Sequence, residues 1–459
     1  MPTTGTDRSS SFLGGLLNTL TERGRSLLGR SSSAPMSQAD LIALGETLLS
    51  RRGEATGVAL ANSLHAGYAG ASEADQLGFL NALAEQFGPD LAELNAAIDA
   101  VRDGDTSPQA VGRLHEAAEP RRQELIRRLN LAPGGTASLV RMREALLGQI
   151  ADHPQLKLVD ADFVHLFSSW FNRGFLVLQR IDWTTPANIL EKIIRYEQVH
   201  AIGDWDDLRA RLAPPDRRCY GFFHPQLVDE PLIFVEVALT RENPAAISPL
   251  LDLKRAPIAA SEATTAVFYS ISNTQKGLAG ISFGNFLIKQ VVEDIKRELP
   301  NLQTFVTLSP VPGFAAWLRR EREAHPSRFD VATRITLDAL DTADWFEQPE
   351  LAERVKAVLL PLAAEYFLEA RTPRGQPVDP VARFHLGNGA RLERLNFLGD
   401  RSANGMRQSH GLMVNYLYAL GEIETNHEAF AERGQVASSS AVRKLLATRA
   451  PAVDTPAMI

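Results

Sequence analysis

The chain has 459 residues, of which 44% are hydrophobic and 22% are charged, a composition typical of a globular protein with a large buried core. Its formal net charge of −7 argues against a nucleic-acid-binding protein, because contacts with many phosphates require a basic surface. A small polyanionic ligand is compatible with this charge, since it requires only a local group of hydrogen-bond donors.

Cysteine usage and hydropathy narrow the class of protein further. Cys219 is the single cysteine, so no intrachain disulfide can form, and the Cys and His spacing matches no zinc motif. We therefore expect no metal site and a reducing compartment, with Cys219 as a packing residue. No apolar run approaches the roughly 18 residues that span a bilayer, which predicts a protein without membrane-embedded segments.

The first 36 residues differ in composition from the rest of the chain. They are rich in Ser and Arg, and Asp7 and Glu22 are their only acidic residues. Two interpretations fit: a disordered tail on a cytoplasmic protein, or a transit peptide directing the protein to the mitochondrial matrix. The last three residues, Ala-Met-Ile, are not a peroxisomal signal.

Residues 37–161 predict an all-helical domain. Ser72 and Ser107 have the character of helix N-caps, and Pro108 suits the first position of the second of these helices. No group of catalytic residues stands out, so we interpret the domain as a bundle for packing or oligomerisation. Apolar residues recur at the spacing of one helix face, namely Leu41, Leu44, Leu48, Leu77, Leu80, Leu83 and Phe87.

Residues 162–459 predict an α/β domain built on a mixed sheet. A helix is predicted at 186–197, and an amphipathic helix that carries Val291 and Ile295 on its apolar stripe is predicted to end before Pro300. The run 231–240 is almost wholly apolar, which predicts a strand covered on both faces. Strand-like runs cover residues 219–223, 232–239, 265–272 and 303–308.

A glycine-containing loop at residues 270–285 separates a predicted strand from the amphipathic helix. Gly277, Gly280 and Gly284 allow close approach of the backbone to a ligand and positive φ. Backbone N–H groups at the start of the helix form an anion site, with Ser282 as the predicted N-cap. Because the loop matches neither Walker A nor GxGxxG, it predicts either a phosphate-binding loop or a tight turn.

The same loop contains a second pattern, Gly280-Ile-Ser-Phe-Gly284, which matches the nucleophile elbow of α/β hydrolases. An elbow requires a strand that runs directly into the first glycine. Here the polar stretch 273–279 intervenes, so a serine hydrolase with Ser282 as nucleophile is the less favoured alternative.

Three segments, in this order and spacing, resemble malonyl-CoA decarboxylases. The resemblance extends more weakly into the helical region and covers most of the chain after residue 36. The segments are 224–240 (HPQLVDEPLIFVEVALT), 268–280 (FYSISNTQKGLAG) continuing to 308–314 (LSPVPGF), and 383–390 (RFHLGNGA) with 411–418 (GLMVNYLY).

The resemblance implies a helical domain followed by an acetyltransferase-like (GNAT-type) catalytic domain, assembled as a homo-oligomer, either a dimer or a tetramer. It implies that Ser309, His385 and Tyr418 are catalytic. Animal members carry an acid where this chain has Ser282, so no role of that acid is transferred. The loop implied to bind coenzyme A comprises Gln275, Gly277, Ala279, Gly280, Ile281, Ser282, Phe283, Gly284 and Asn285.

The implied activity is decarboxylation of malonyl-CoA to acetyl-CoA and CO2, with coenzyme A as part of the substrate and no metal, biotin or other cofactor. The thioester carbonyl can accept the electron pair that CO2 leaves behind, which agrees with this expectation. A CoA-dependent acyltransferase and a non-catalytic acyl-CoA-sensing scaffold are also compatible with a loop of this kind.

The local sequence suggests roles for two of these residues. Ser309 ends a predicted strand and precedes Pro310, which restricts its backbone to extended geometry; we expect it to contact the malonyl carboxylate or to relay its proton. His385 alternates with Phe384 and Leu386, which predicts a strand with the imidazole on the opposite side, acting as a proton donor near neutral pH.

Overall fold

The computed structural model describes residues 35–50, 53–281, 283, 287–342 and 344–447. The predicted tail or transit segment, residues 1–36, lies outside this part except for its last two residues. Two compact units are present. The first holds the described chain up to Phe175 together with 224–228 and 275–281, and the second holds the remaining described residues.

The first unit is helical, as predicted for the N-terminal region. The side chains of Ser72 and Ser107 accept hydrogen bonds from backbone N–H groups three residues later, and Pro108 occupies the first turn, so both predicted helix starts are confirmed. Its helices are α1 Gln38–Leu49, α2 Glu54–Gly70, α3 Glu73–Glu85, α4 Leu91–Arg102, α5 Pro108–Ala118, α6 Arg121–Asn130, α7 Gly135–Gln149 and α8 Lys157–Trp170.

The second unit contains the sheet and the remaining helices. No helix within the described ranges is long and apolar enough to cross a membrane. The strands are β1 Val177–Ile181, β2 Arg217–Phe223, β3 Pro231–Thr240, β4 Thr265–Asn273, β5 Thr304–Thr307, β6 Ser309–Pro310, β7 Arg391–Asn396 and β8 Met413–Leu417. The helices are α9 Ala187–Tyr196, α10 Trp205–Leu212, α11 Ser248–Leu251, α12 Leu287–Glu298, α13 Phe314–Ala324, α14 Val331–Asp338, α15 Pro349–Leu368, α16 Pro380–Gly387, α17 Ala403–Ser409, α18 Ile423–Arg433 and α19 Ser440–Ala447.

The eight strands form one mixed sheet in the order β1-β2-β3-β4-β5-β8-β6, with β7 also paired to β8. β4 and β5 pair in parallel, whereas the other pairs are antiparallel. Nine of the ten residues of β3 are buried, which confirms a strand covered on both faces. Helices α9 and α10 pack Ile189, Ile193 and Leu208 against the sheet residues Phe223 and Phe234.

The segment that runs from β4 through the loop and α12 to β5 has the architecture expected of an acetyltransferase-like domain. Val291 and Ile295 of α12 are fully buried, as their place on the apolar stripe predicts, and the helix ends at Glu298, before Pro300. Two parallel neighbouring strands need a crossover between them, which the loop and α12 supply. The predicted fold class, helices followed by a mixed-sheet domain, is confirmed.

The secondary structure around His385 was predicted wrongly. This residue lies in α16 rather than in a strand. Asp379 is the N-cap, accepting a hydrogen bond from the backbone of Ala382, and Pro380 occupies the first turn. These are helix-start signals. They outweigh an apolar alternation only three residues long, because so short a pattern cannot distinguish a helix from a strand.

The loop that follows β4 makes a close backbone contact within the first unit. Residues Lys276–Leu278 form a 3-10 turn, in which Gly277 is buried against α7. A Cβ atom built on Gly277 would lie 2.0 Å from the carbonyl oxygen of Val140. Because both atoms are on or next to backbone, neither can move aside without shifting the loop or the helix.

We expect Gly277→Ala to lower the free energy of unfolding by about 1–3 kcal/mol, the usual cost of overpacking. Chemical denaturation followed by circular dichroism would measure it. The control is Gly148→Ala in α7, where an added Cβ meets nothing within 4 Å; it should stabilise the helix by about 0.5–1 kcal/mol. Equal stability of Gly277→Ala and the wild type would contradict the assigned packing.

Candidate active site

Ser309 lies in the two-residue strand β6, opposite Val414 of β8. The residue is 6% exposed. Its hydroxyl oxygen is 2.9 Å from the hydroxyl oxygen of Thr307, to which it donates a hydrogen bond. The serine side chain is therefore held on one side by its own chain segment.

The imidazole of His385 connects Ser309 to Tyr418. Its Nε2 is 3.1 Å from Ser309 Oγ, and its Nδ1 is 2.9 Å from the hydroxyl oxygen of Tyr418. His385 and Tyr418 are 3% and 1% exposed. The structure thus brings together the three residues predicted as catalytic, although they come from three separate segments of the chain.

Burial determines the charge of the imidazole. Removal from water lowers the pKa of His385 to about 3, because a low-dielectric environment disfavours the cation. The ring stacks on Tyr416 with centroids 4.6 Å apart, and no carboxylate contributes to its pKa. His385 is therefore neutral at physiological pH, whereas an ordinary histidine titrates near 6.5.

The hydrogen-bond network indicates which nitrogen carries the proton. Burial raises the pKa of Tyr418 well above its usual range, so its hydroxyl keeps its proton and donates it to Nδ1 of His385. A neutral ring that accepts at Nδ1 carries its hydrogen on Nε2 and donates it to Ser309, which in turn donates to Thr307. The four groups form one uncharged, directed chain.

Two further residues support this series of hydrogen bonds, and neither was predicted from the sequence to be a site residue. The hydroxyl oxygen of Thr307 also accepts the backbone N–H of Tyr416 at 3.1 Å, and its carbonyl accepts from Asn415 Nδ2 at 2.7 Å. Thr307 and Asn415 are fully buried. The available signal was the i, i+2 spacing of Thr307 and Ser309, which puts both on one face of an extended segment.

The predicted coenzyme A loop is described only in part. Ser282, Gly284 and Asn285 lie outside the described residues, and with them the predicted N-cap. Ile281 and Phe283 are buried, whereas Ala279 and Gly280 are exposed. The partly buried Gln275 begins the loop and precedes the 3-10 turn.

The two described glycines of this loop serve different purposes. Gly280 has φ of +76°, the left-handed conformation that was predicted and that favours glycine. Gly277 instead allows close approach of α7, since its missing side chain leaves room for Val140. Gly277 therefore has a packing role in this structure, and its part in binding a ligand stays a prediction.

Other conspicuous polar residues have structural partners. His224, in one of the family-like segments, contacts the carbonyl of Trp170 at 3.1 Å and lies beside the ring of Phe171. Cys219 is a free, buried thiol whose pKa burial raises, consistent with a packing residue. Among the described residues, no three His, Cys, Asp or Glu side chains are grouped as metal ligands would be.

Comparison with protein families assigns nearly all of the chain after residue 86. The malonyl-CoA decarboxylase N-terminal domain matches residues 87–171, and the malonyl-CoA decarboxylase C-terminal domain matches residues 174–455. The second match alone covers more than half of the chain and includes Ser309, His385 and Tyr418.

Individual relatives agree with this assignment. The mitochondrial malonyl-CoA decarboxylase of Anser anser anser is 35% identical over 407 residues, 82% of this chain and 80% of the relative. The Rattus norvegicus protein of that name is 34% identical, covering 83% and 84% of the two chains.

Solved structures show the same similarity. A malonyl-CoA decarboxylase from Rhodopseudomonas palustris superposes with a TM-score of 0.87 at 77% identity, covering 89% of this chain and 100% of that one. The Agrobacterium vitis protein gives 0.85 at 62% identity, covering 89% and 99%. By domain composition, sequence identity and fold, the chain belongs to the malonyl-CoA decarboxylase family.

Proposed function

We propose that this protein converts malonyl-CoA to acetyl-CoA and CO2, with Ser309 and His385 assisting and without metal or biotin. The observation that supports this most directly is the hydrogen-bonded chain of Tyr418, His385 and Ser309 in a member of the family. Serine and histidine reach each other from a strand and a helix that the sequence keeps 76 residues apart.

The substrate itself supplies the electron sink. The bond between the α-carbon and the carboxylate breaks, its electron pair moves onto the thioester carbonyl as an enolate, and CO2 leaves. One proton is then added at the α-carbon to give the acetyl group. The protein has to shield the carboxylate from water, stabilise the enolate oxygen and deliver that proton, and none of these tasks requires a cofactor.

A neutral His385 suits this reaction better than a charged one. During decarboxylation the negative charge leaves the carboxylate and spreads into the enolate. A fixed cation beside the carboxylate would stabilise the substrate more than the transition state and would raise the barrier. When Ser309 turns its hydroxyl hydrogen from Thr307 to the substrate, the uncharged Ser309, backed by the neutral His385, can hold the carboxylate by a hydrogen bond without that penalty.

The same pair can supply the proton to the α-carbon. Ser309 Oγ–H protonates the α-carbon, the Nε2–H of His385 passes to the serine oxygen, and the hydroxyl proton of Tyr418 passes to Nδ1. A proton from water then restores the starting state, in which Tyr418 donates to Nδ1 and the ring carries its hydrogen on Nε2, so each turnover consumes one solvent proton. A positioned proton donor of this kind contributes about 10²- to 10⁴-fold to a rate.

We assign the diphosphate of coenzyme A to the loop that begins at Gln275. The exposure of Ala279 and Gly280 and the positive φ of Gly280 fit a loop that presents a backbone N–H group to an anion.

Assembly and cellular location stay predictions. The family resemblance predicts a dimer or a tetramer, which light scattering on a size-exclusion column would distinguish. The cytoplasm is the predicted location, with the mitochondrial matrix as the alternative if residues 1–36 act as a transit peptide. Two similar proteins, from Anser anser anser and Rattus norvegicus, are named as mitochondrial.

The activity is tested directly with purified protein, malonyl-CoA, EDTA and avidin. We expect CO2 and acetyl-CoA in equal amounts, at a rate that neither addition changes. Free CoA without CO2 would point to hydrolysis, and acetyl transfer to an added amine would point to an acyltransferase. Loss of turnover on adding EDTA or avidin would contradict the cofactor-free mechanism.

Ser309→Ala and His385→Gln should each lower kcat by about 10²-fold or more, because each breaks the proton-donating chain. The matched control is His325→Gln at the exposed end of α13, which should keep wild-type kcat. Binding of acetyl-CoA, measured by calorimetry, should survive in both active-site variants. A wild-type rate in Ser309→Ala would remove serine from the mechanism.

The low pKa of His385 predicts the pH dependence of kcat. Because the folded-state pKa of about 3 lies below the ordinary 6.5, the ring stays neutral and active from pH 8 down to 5.5. Burial of the neutral His385 ring is compatible with a stable fold above pH 6.5. This contribution to stability decreases as pH falls toward 3, because the imidazole of the unfolded chain then binds a proton that the buried ring does not. A stopped assay across this range should show a flat kcat; a tenfold decrease with a midpoint near 6.5 would contradict the neutral ring.

A further inference from the structure

Arg143 of α7 is a deeply buried cation in contact with the predicted coenzyme A loop. The residue is 2% exposed. Its Nη1 donates to the carbonyl oxygens of Gly277 at 2.8 Å and Ala279 at 2.9 Å. Its Nε donates to Asp160 Oδ1 of α8 at 2.8 Å. One guanidinium therefore joins two helices to two carbonyls of the loop.

The charge of Arg143 is compensated within the same unit. Removing a guanidinium from water is costly unless it is paired and hydrogen-bonded. Asp160, whose side chain is 23% exposed, supplies the countercharge, and the two carbonyls accept from Nη1. The rigid, planar donor set of arginine then fixes the directions of both carbonyls.

Those directions decide what the loop presents on its other side. A trans peptide unit is planar, with its C=O and the next N–H pointing opposite ways. Since the carbonyl of Ala279 points to Arg143, the N–H of Gly280 points away from it. That N–H has no hydrogen-bond partner among the described residues, whereas those of Ala279 and Ile281 are bonded within the turn. Gly280 is also exposed.

A loop that binds phosphate must turn its carbonyls away and its N–H groups toward the ligand, because oxygen dipoles repel an anion. We propose that Arg143, held by Asp160, is a positioning residue that keeps the Ala279–Gly280 peptide in the orientation that donates to the diphosphate of coenzyme A. The helical unit thereby acts on substrate affinity, a role beyond packing or oligomerisation. This inference rests on the proposed function.

The proposal is tested with two substrates that differ in the nucleotide portion, which includes the diphosphate that the loop would bind. Malonyl-CoA carries the diphosphate, and malonyl-pantetheine lacks it while keeping the reacting thioester. In Arg143→Gln the KM for malonyl-CoA should increase by about tenfold, the loss of one charge-assisted hydrogen bond, with kcat within about twofold. The kcat/KM for malonyl-pantetheine should be unchanged.

Two companion variants complete the test. Arg141→Gln is the matched control, because the exposed Arg141 lies on the same helix and, within the described ranges, its side chain hydrogen-bonds only Ser138; both substrates should behave as with wild type. Asp160→Asn keeps the guanidinium but removes its countercharge and should increase KM for malonyl-CoA in the same direction. If thermal melting shows that Arg143→Gln does not fold, Asp160→Asn provides the test in its place.

The outcomes separate the positioning role from the proposed activity. An equal loss with both substrates, or unchanged KM for malonyl-CoA in a folded Arg143→Gln, would overturn the positioning role. A wild-type protein that releases no CO2 would overturn the proposed activity instead. In that case calorimetric titration of coenzyme A into wild type and Arg143→Gln still decides the loop inference: a tenfold weaker binding in the variant supports it, and equal binding refutes it.

Discussion

The removal of one imidazole from water is the constraint on which the candidate site depends. His385 is buried and hydrogen-bonded on both nitrogens, so it is neutral and its tautomer is determined by Tyr418. Without burial the ring would titrate near neutrality, and without Tyr418 either nitrogen could carry the hydrogen. The chemistry assigned to Ser309 follows from these two conditions, since a neutral Nε2–H is what meets its hydroxyl.

The surrounding sheet keeps this arrangement in register. Asn415 of β8 donates to the backbone of Thr307, and its side-chain oxygen accepts from Arg394 at 3.0 Å and from Asn396 at 2.8 Å. Buried polar networks of this kind are stable only when every group is paired. The Ser309 segment is thus attached to β7 and β8 by side chains as well as by strand pairing, which limits how far the serine can move from the imidazole.

The helical unit has a more specific role than that of a packing bundle. The segment that begins at Gln275 follows β4 in the chain, yet it contacts α7 through Gly277 and Arg143. Gly277, which resembles part of a ligand-binding loop, is required for helix packing. Arg143, which is buried in a helix without a catalytic pattern, orients the backbone of the loop. Both assignments depend on contacts between residues more than 130 positions apart.

Local patterns in the sequence determined the helical and mixed-sheet classes, the long apolar strand β3, the amphipathic α12 and the caps at Ser72 and Ser107, because these depend on neighbouring residues. Family-like segments identified Ser309, His385 and Tyr418. Only the tertiary structure decided that His385 lies on a short capped helix, that burial keeps it neutral, that Thr307 and Asn415 support the Ser309 segment, and that Arg143 bonds the carbonyls of Gly277 and Ala279. Such properties arise from desolvation and hydrogen bonds between distant segments, which no short-range pattern in the chain encodes.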